Sequence, residues 1–199
     1  MDQRTVATWR AELPRLCGHT VELRELATTD LGPLVDLFSF PDAPRFGLAA
    51  PVTELAIQRF IDLAIQHRVD GAGFSYVIGL GTQPAVVGLI QVRQLDTTFE
   101  TAEWECMIVP SSRGTGVFVE ASRLVASFTF NSVGTHRLES RVLLENGRAN
   151  GALQKIGATQ EGILRRSVRC GDDYLDQVLW AVLSEDWRDR AVPPAARVH

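Results

Sequence analysis

Between Ala102 and Phe128 the spacing of apolar residues changes from a period of about two to one of about 3.6, and the change falls on Arg113-Gly114-Thr115-Gly116. A chain that leaves a strand through two glycines and enters a helix directly has few local geometries open to it. Glycine takes left-handed backbone angles without a Cβ penalty, successive N–H groups converge, and the positive end of the helix faces the same point. Such a point suits an anion, and a pyrophosphate fits it. Arg113 adds a charged donor. The loop is not a Walker loop, because no Gly-Lys-Ser/Thr follows, and it lacks the third glycine and parallel βαβ setting of a dinucleotide fingerprint. Taken alone, it is equally well explained as a glycine turn before a helix.

The surrounding chain sets this loop in a mixed α/β domain. Val21 and Leu23 alternate with Glu22 and Arg24 as in a half-buried strand, and Thr28 or Thr29 is expected to cap a helix carrying Leu31, Leu34, Val35 and Phe38. Pro41, Pro44 and Gly47 break that helix into a loop over 39–50, and a second helix capped by Thr53 buries Ile57, Phe60, Ile61, Ala64 and Ile65. Phe74 to Leu80, Val86 to Leu95 and Ala102 to Val109 read as three strands of an antiparallel meander. The helix after Gly116 carries Val117, Ala121, Leu124, Val125 and Phe128. Leu138 to Leu144 reads as a strand, the stretch from Ala149 to Ile156 as a helix ended by Gly157, and two strands flank Gly171-Asp172-Asp173. The expectation is a single domain over 1–199: a central, mostly antiparallel twisted sheet of about seven strands, with about four flanking helices. The first 17 or so residues form an extension without a period, and the tail from Arg190 is expected to be mobile.

Ala102 to Gly116, reading Ala-Glu-Trp-Glu-Cys-Met-Ile-Val-Pro-Ser-Ser-Arg-Gly-Thr-Gly, resembles the fourth-strand and pyrophosphate-loop signature of the GNAT superfamily of N-acetyltransferases. Glu120-Ala121 extends the resemblance toward the branch of the ribosomal-protein N-terminal acetyltransferases. Glu145-Asn146-Gly147-Arg148 and Gln154-Lys155-Ile156-Gly157-Ala158 resemble that branch's second motif at matching spacing. The resemblance runs from Val21 to about Trp187. It implies a GNAT-like fold and an acetyl-CoA-dependent acyltransferase acting on an amine of a protein N-terminus or small molecule. It further implies that backbone groups of Met107, Ile108 and Val109 pair with the pantetheine arm, and that Arg113, Gly114, Thr115, Gly116, Val117 and Phe118 cradle the pyrophosphate. Asn146 is implied to contact the cofactor. As residues, Asn146 equally suits a helix cap and Arg148 equally suits a CoA phosphate or solvent.

Three positions depart from the family pattern. Phe118 stands where Gly or Ala is usual, so its ring must pack elsewhere. Ala149 replaces the Ser of one branch and Leu153 the Tyr of others, which removes the usual acid for the departing thiolate. An amine with a pKa near ~10 must lose a proton before attack, whereas a thiolate with a pKa near ~8.5 departs more readily, so the base matters more. Glu103, which matches the Glu usual in the family, and Glu105, which stands where Gly is usual, lie two apart on one strand face and are the candidates. Proximity and partial burial are expected to raise at least one pKa, and two exposed or paired strand carboxylates explain the pair equally well. Ser167-Val168-Arg169 also supplies no carboxylate where the ribosomal branch can have a water-activating Glu. Asp42, Asp172 and Asp173 are acidic rim candidates for a cationic acceptor. A different class remains open: a non-catalytic acyl-CoA-binding module that senses cofactor or serves an assembly.

Composition narrows the partners. With 45% hydrophobic residues and a net charge of −4, the chain offers no basic footprint for nucleic acid, and its apolar runs are short of the ~20 residues of a membrane span. The expected partners are therefore acetyl-CoA and an amine acceptor, with no nucleic acid and no membrane, in the cytoplasm, and with a homodimer left open. Cys17, Cys106 and Cys170 are far apart and read as reduced, packed thiols, and the four histidines have no ligand spacing, so no metal is assigned.

Overall fold

The computed structural model describes residues 9–40, 46, 52–81 and 85–189. Asp42, most of the 39–50 loop and the tail from Arg190 lie outside the described residues. The strands are β1 (Leu16–Cys17), β2 (Val21–Glu25), β3 (Gly73–Leu80), β4 (Val86–Gln94), β5 (Thr101–Ile108), β6 (Arg137–Leu143), β7 (Thr159–Cys170) and β8 (Asp173–Leu183). The helices are α1 (Leu31–Phe38), α2 (Glu54–Asp70), α3 (Val117–Phe128), α4 (Gly147–Ile156) and the short α5 (Ser184–Asp189). No described helix is long and apolar enough to cross a membrane.

All eight strands join one sheet in the order β1-β2-β3-β4-β5-β6-β8-β7. The expected meander of β3, β4 and β5 is antiparallel, and only β5 and β6 run parallel. That parallel step is forced by α3, which carries the chain over one sheet face as a crossover. Alternation along the strands then serves both faces. On one, Trp104, Leu138, Val142 and Val178 pack under Val117, Ala121 and Val125 of α3 and Leu153 and Ile156 of α4. On the other, Val77, Leu89 and Met107 pack under Leu34, Leu37 and Phe38 of α1 and Ile57, Phe60 and Ile61 of α2.

Several expectations change at the edges. Thr28 and Thr29 do not cap α1; they lie in a 3-10 turn, Thr28–Asp30, whose Asp30 carboxylate accepts from the Ala27 N–H at 2.9 Å and is paired with Arg24. Thr53 does cap α2, accepting from Ala56 N–H at 3.2 Å. The sheet gains β1 from the stretch without a period. Trp9 and Leu13 of that stretch are buried, with Trp9 edge-on to Phe74 and Phe99. Cys17 and Cys170 are exposed thiols and Cys106 is half-buried, so only Cys106 approaches the packed environment expected of all three.

Candidate active site

The parallel pairing of β5 with β6 covers three rungs, Thr101 with Arg137, Ala102 with Leu138 and Glu103 with Glu139. Beyond Glu103 both strands continue but part from each other, β5 to Ile108 and β6 to Leu143. The result is a fork in the middle of the sheet. β5 stays zipped to β4 throughout, so its parting from β6 exposes one edge of its backbone only. Strand geometry decides which residues present that edge, because the N–H and C=O of one residue point the same way and successive residues alternate. The N–H of Val109 donates to the carbonyl of Val87, and Glu100 pairs across to β6 through its carbonyl. Even-numbered residues of β5 therefore turn their backbone toward the fork. Of the three residues implied for the pantetheine, Ile108 turns its backbone toward the fork, whereas Val109, and by alternation Met107, turn theirs toward β4.

At the open end of the fork the chain makes a 3-10 turn, Pro110–Ser112, then Arg113 and the glycine loop. The Nε of Arg113 donates to the Ile108 carbonyl at 2.9 Å, and the Thr115 hydroxyl donates to the Ser112 carbonyl at 2.8 Å, so the loop is bonded internally. Gly114 has φ +82° and Gly116 φ +95°, and a Cβ at either position would meet no atom within 4 Å. The glycines are needed for their backbone angles, and the space beside them is open to a ligand. Gly116 is the N-terminal boundary of α3, so the first amides of the helix face that space. The ring of Phe118 turns away and packs with Trp104, at 6.3 Å between centroids, which resolves where a large side chain goes at that position. Glu120, one turn into α3, accepts from the N–H and hydroxyl of Thr20 at 2.9 and 2.5 Å and from the N–H of His19. Burial alone would raise its pKa, but these hydrogen bonds outweigh burial and leave it lowered.

The two candidate carboxylates share one face of β5 but not one environment. Glu103 is buried, 2% exposed, and its oxygens accept from Arg93 of β4 and, at 3.1 Å, from Arg141 of β6. The expected carboxylate pair is thus divided: the charge of Glu103 is met by guanidiniums. Glu105 is half-buried, lies opposite Gln91 of β4, and stands two residues past the last rung, on the same sheet face as Met107.

Across the fork, the Oδ1 of Asn146 accepts from the Ala149 N–H at 3.1 Å, so Asn146 is the cap of α4. Arg148 is exposed in the first turn of the helix. Leu153 is buried against the core. Asn150 is a residue the sequence reading missed. Its Nδ2 donates to the carbonyls of Leu143, Leu144 and Asn146, and its Oδ1 accepts from the Trp180 indole at 2.8 Å. It ties the end of β6 to α4 and β8. The available signal was an asparagine inside a helix, where its side chain competes with the backbone for partners. Asp172 and Asp173 are exposed at the β7–β8 turn.

The profile of the acetyltransferase (GNAT) domain matches residues 20–159. The chain is 23% identical over 170 residues to spermidine N(1)-acetyltransferase of Escherichia coli (strain K12), covering 85% of this chain and 89% of that protein. It is 26% identical over 114 residues to the probable N-acetyltransferase YjcK of Bacillus subtilis (strain 168), covering 57% of this chain and 63% of YjcK, less than two thirds of that relative. Its fold is similar to that of the microcin C7 self-immunity acetyltransferase MccE in complex with acetyl-CoA and AMP, with a TM-score of 0.71 and 16% identity over 83% of this chain and 93% of that one.

Proposed function

Because the chain belongs to the GNAT acetyltransferase family, we propose that it moves an acetyl group from acetyl-CoA to a primary amine by direct attack, with the fork between β5 and β6 as the site. The observation that carries this reading is the continuity of an opened strand edge with an anion-ready glycine loop. The residues present fit the cofactor. Gly114 and Gly116 leave room for a pyrophosphate where a Cβ would otherwise stand, the first amides of α3 with Arg113 to Phe118 would hold it, and the exposed Arg148 would meet a phosphate. The fork-facing N–H of Ile108, whose carbonyl already accepts from Arg113, would pair with the pantetheine arm. The Nδ2 of Asn146 would contact the cofactor while its Oδ1 holds the α4 cap. Bound acetyl-CoA would supply an activated acyl thioester.

The chain's own residues then handle the proton and the developing charge. Glu105 takes a proton from the incoming ammonium, directly or through one water. The freed amine would form its bond to the carbonyl carbon as the carbon–sulfur bond breaks, the sulfur leaving as thiolate and the nitrogen giving up its second proton to solvent as the amide forms. A fork-facing N–H of β5 polarises the carbonyl oxygen. With Ala149 and Leu153 in place of side-chain acids, solvent protonates the thiolate. The acceptor class follows from the family: the E. coli relative is named for spermidine, so a polyamine belongs in the panel beside a peptide N-terminus and an amino acid.

The test is calorimetric titration with acetyl-CoA, followed by thiol release with that panel. Binding with release is expected. Tight binding without release from any amine supports the non-catalytic acyl-CoA module instead, and the absence of binding to any CoA ester rejects both. Given one working amine, Glu105→Gln should lower turnover by about 10²–10⁴-fold, with partial recovery at alkaline pH as more amine is neutral. Parental rates across the whole pH range would remove Glu105 from the mechanism.

A further inference from the structure

Glu103 and Glu139 are directly opposite each other on the last rung of the parallel ladder, at the point where the strands part. Two carboxylates side by side across a sheet repel, so this rung alone would weaken the fork. The arginines around it reverse that effect. Arg141 lies on β6 two residues beyond the rung, on the diverging arm, and its guanidinium reaches back to Glu103 at 3.1 Å and to Glu139 at 3.5 Å. Arg93 on β4 holds the other oxygen of Glu103 from the opposite side. The chain continues outward: Arg137 donates to Glu139 at 2.8 Å and to both oxygens of Glu161 on β7, at 2.8 and 2.5 Å. Six charged side chains of alternating sign, from β4, β5, β6 and, across β8, β7, therefore form one chain, and Glu103, 2% exposed, is its most buried member.

We infer that Glu103 is a positioning residue: held between Arg93 and Arg141, it clasps the fork at its closed end and sets the width of the slot in which the cofactor arm lies. This rests on the acetyltransferase reading for its functional consequence, though not for the clasp itself. A carboxylate occupied on both oxygens by guanidiniums and shut off from solvent is poorly placed to accept a substrate proton. Losing the clasp frees Arg141 from β5 and lets the β6 arm shift, so the cost should fall on cofactor binding rather than on the proton step.

The experiment compares Glu103→Gln, Arg141→Gln and their double variant with the parent. The readouts are acetyl-CoA affinity by calorimetry, kcat and KM against pH with one verified amine, and amide hydrogen exchange over 104–108 and 140–143. Arg141→Gln leaves Glu103 paired with Arg93, so it serves if Glu103→Gln does not fold. Each single variant is expected to weaken acetyl-CoA binding and raise its KM by about tenfold. Exchange should speed up on both arms of the fork but not in α2, and the shape of the pH profile should stay parental. The double variant should lose less than the product of the singles, because both remove one interaction. Parental affinity and exchange in both single variants would overturn the inference. So would a fall in Glu103→Gln turnover that alkaline pH restores, with affinity unchanged, which would make Glu103 the base. If the parent binds no CoA ester, the acetyltransferase reading fails, and unchanged exchange in the variants still decides separately against the clasp.

Discussion

At the scale of single residues, the loop and the α4 start make opposite demands on side chains. Gly116 sits at φ +95° in open space, so a valine there is penalised by its backbone and not by a clash. Gly116→Val should destabilise the fold by roughly 1–2 kcal/mol and weaken acetyl-CoA binding, read by thermal melting and calorimetry on the same preparation. Gly151 provides the contrast. It lies in the middle of α4 without a left-handed angle, and a Cβ there meets nothing within 4 Å. Gly151→Ala should therefore stabilise by about 0.5–1 kcal/mol with binding unchanged. Asn150 is the costlier neighbour. Asn150→Ala strands the Trp180 indole, whose residue is 7% exposed, and uncaps the end of β6, for an expected loss of about 1–3 kcal/mol in denaturant unfolding.

At the scale of elements, two carboxylates join pieces of structure that the fork depends on. Asp96 closes the turn from β4 into β5. It accepts from the Thr98 hydroxyl at 2.6 Å and from the N–H groups of Thr98, Glu100 and Thr101, and the turn sets Phe99 at φ +63° into the core beside Phe74. The Thr98 hydroxyl, with these amides, holds its pKa at about 2. A folded value below the unfolded one of about 3.9 means that the stabilisation is complete above that range and is lost as pH falls through the folded value. Asp96→Asn should therefore melt below the parent at neutral pH, with the gap closing between about pH 4 and 2. Glu120 links the first turn of α3 to the β1–β2 turn, and a Cβ on Gly18 would lie 2.2 Å from its Oε1. Its lowered pKa has the same sign as that of Asp96. Glu120→Ala should loosen the helix end that faces the glycine loop.

At the scale of the whole molecule, one sheet serves two cores. Leu34 lies in the core under α1 and α2, Leu138 in the core under α3 and α4, and both are fully buried. Leu34→Ala and Leu138→Ala should each cost about 2–5 kcal/mol. Being on opposite faces without shared partners, they should add to within about 0.5 kcal/mol. Unfolding should remain a single transition, because each core loses its floor when the sheet separates. Two resolved transitions in urea would show that the halves of the sheet are independent.

The family and the order of long elements were legible from residues 21 to 187 because they depend on local signals: apolar period, glycines at left-handed angles, and two motifs at fixed spacing. The strand-loop-helix unit at 101–128 could be read this way, and so could the cap of α2 at Thr53. Partners distant in sequence could not. That Glu103 meets Arg141, 38 residues away, depends on the pairing of β5 with β6, which no local signal in either strand prescribes. The same holds for Trp9, which has no periodic neighbours but is buried by Phe74 and Phe99. Local sequence determined which residue types were available for the chemistry. Tertiary packing decided that Glu103 became a buried, doubly ion-paired part of the scaffold, because burial and ion pairing are properties of contacts between strands and not of the strand itself.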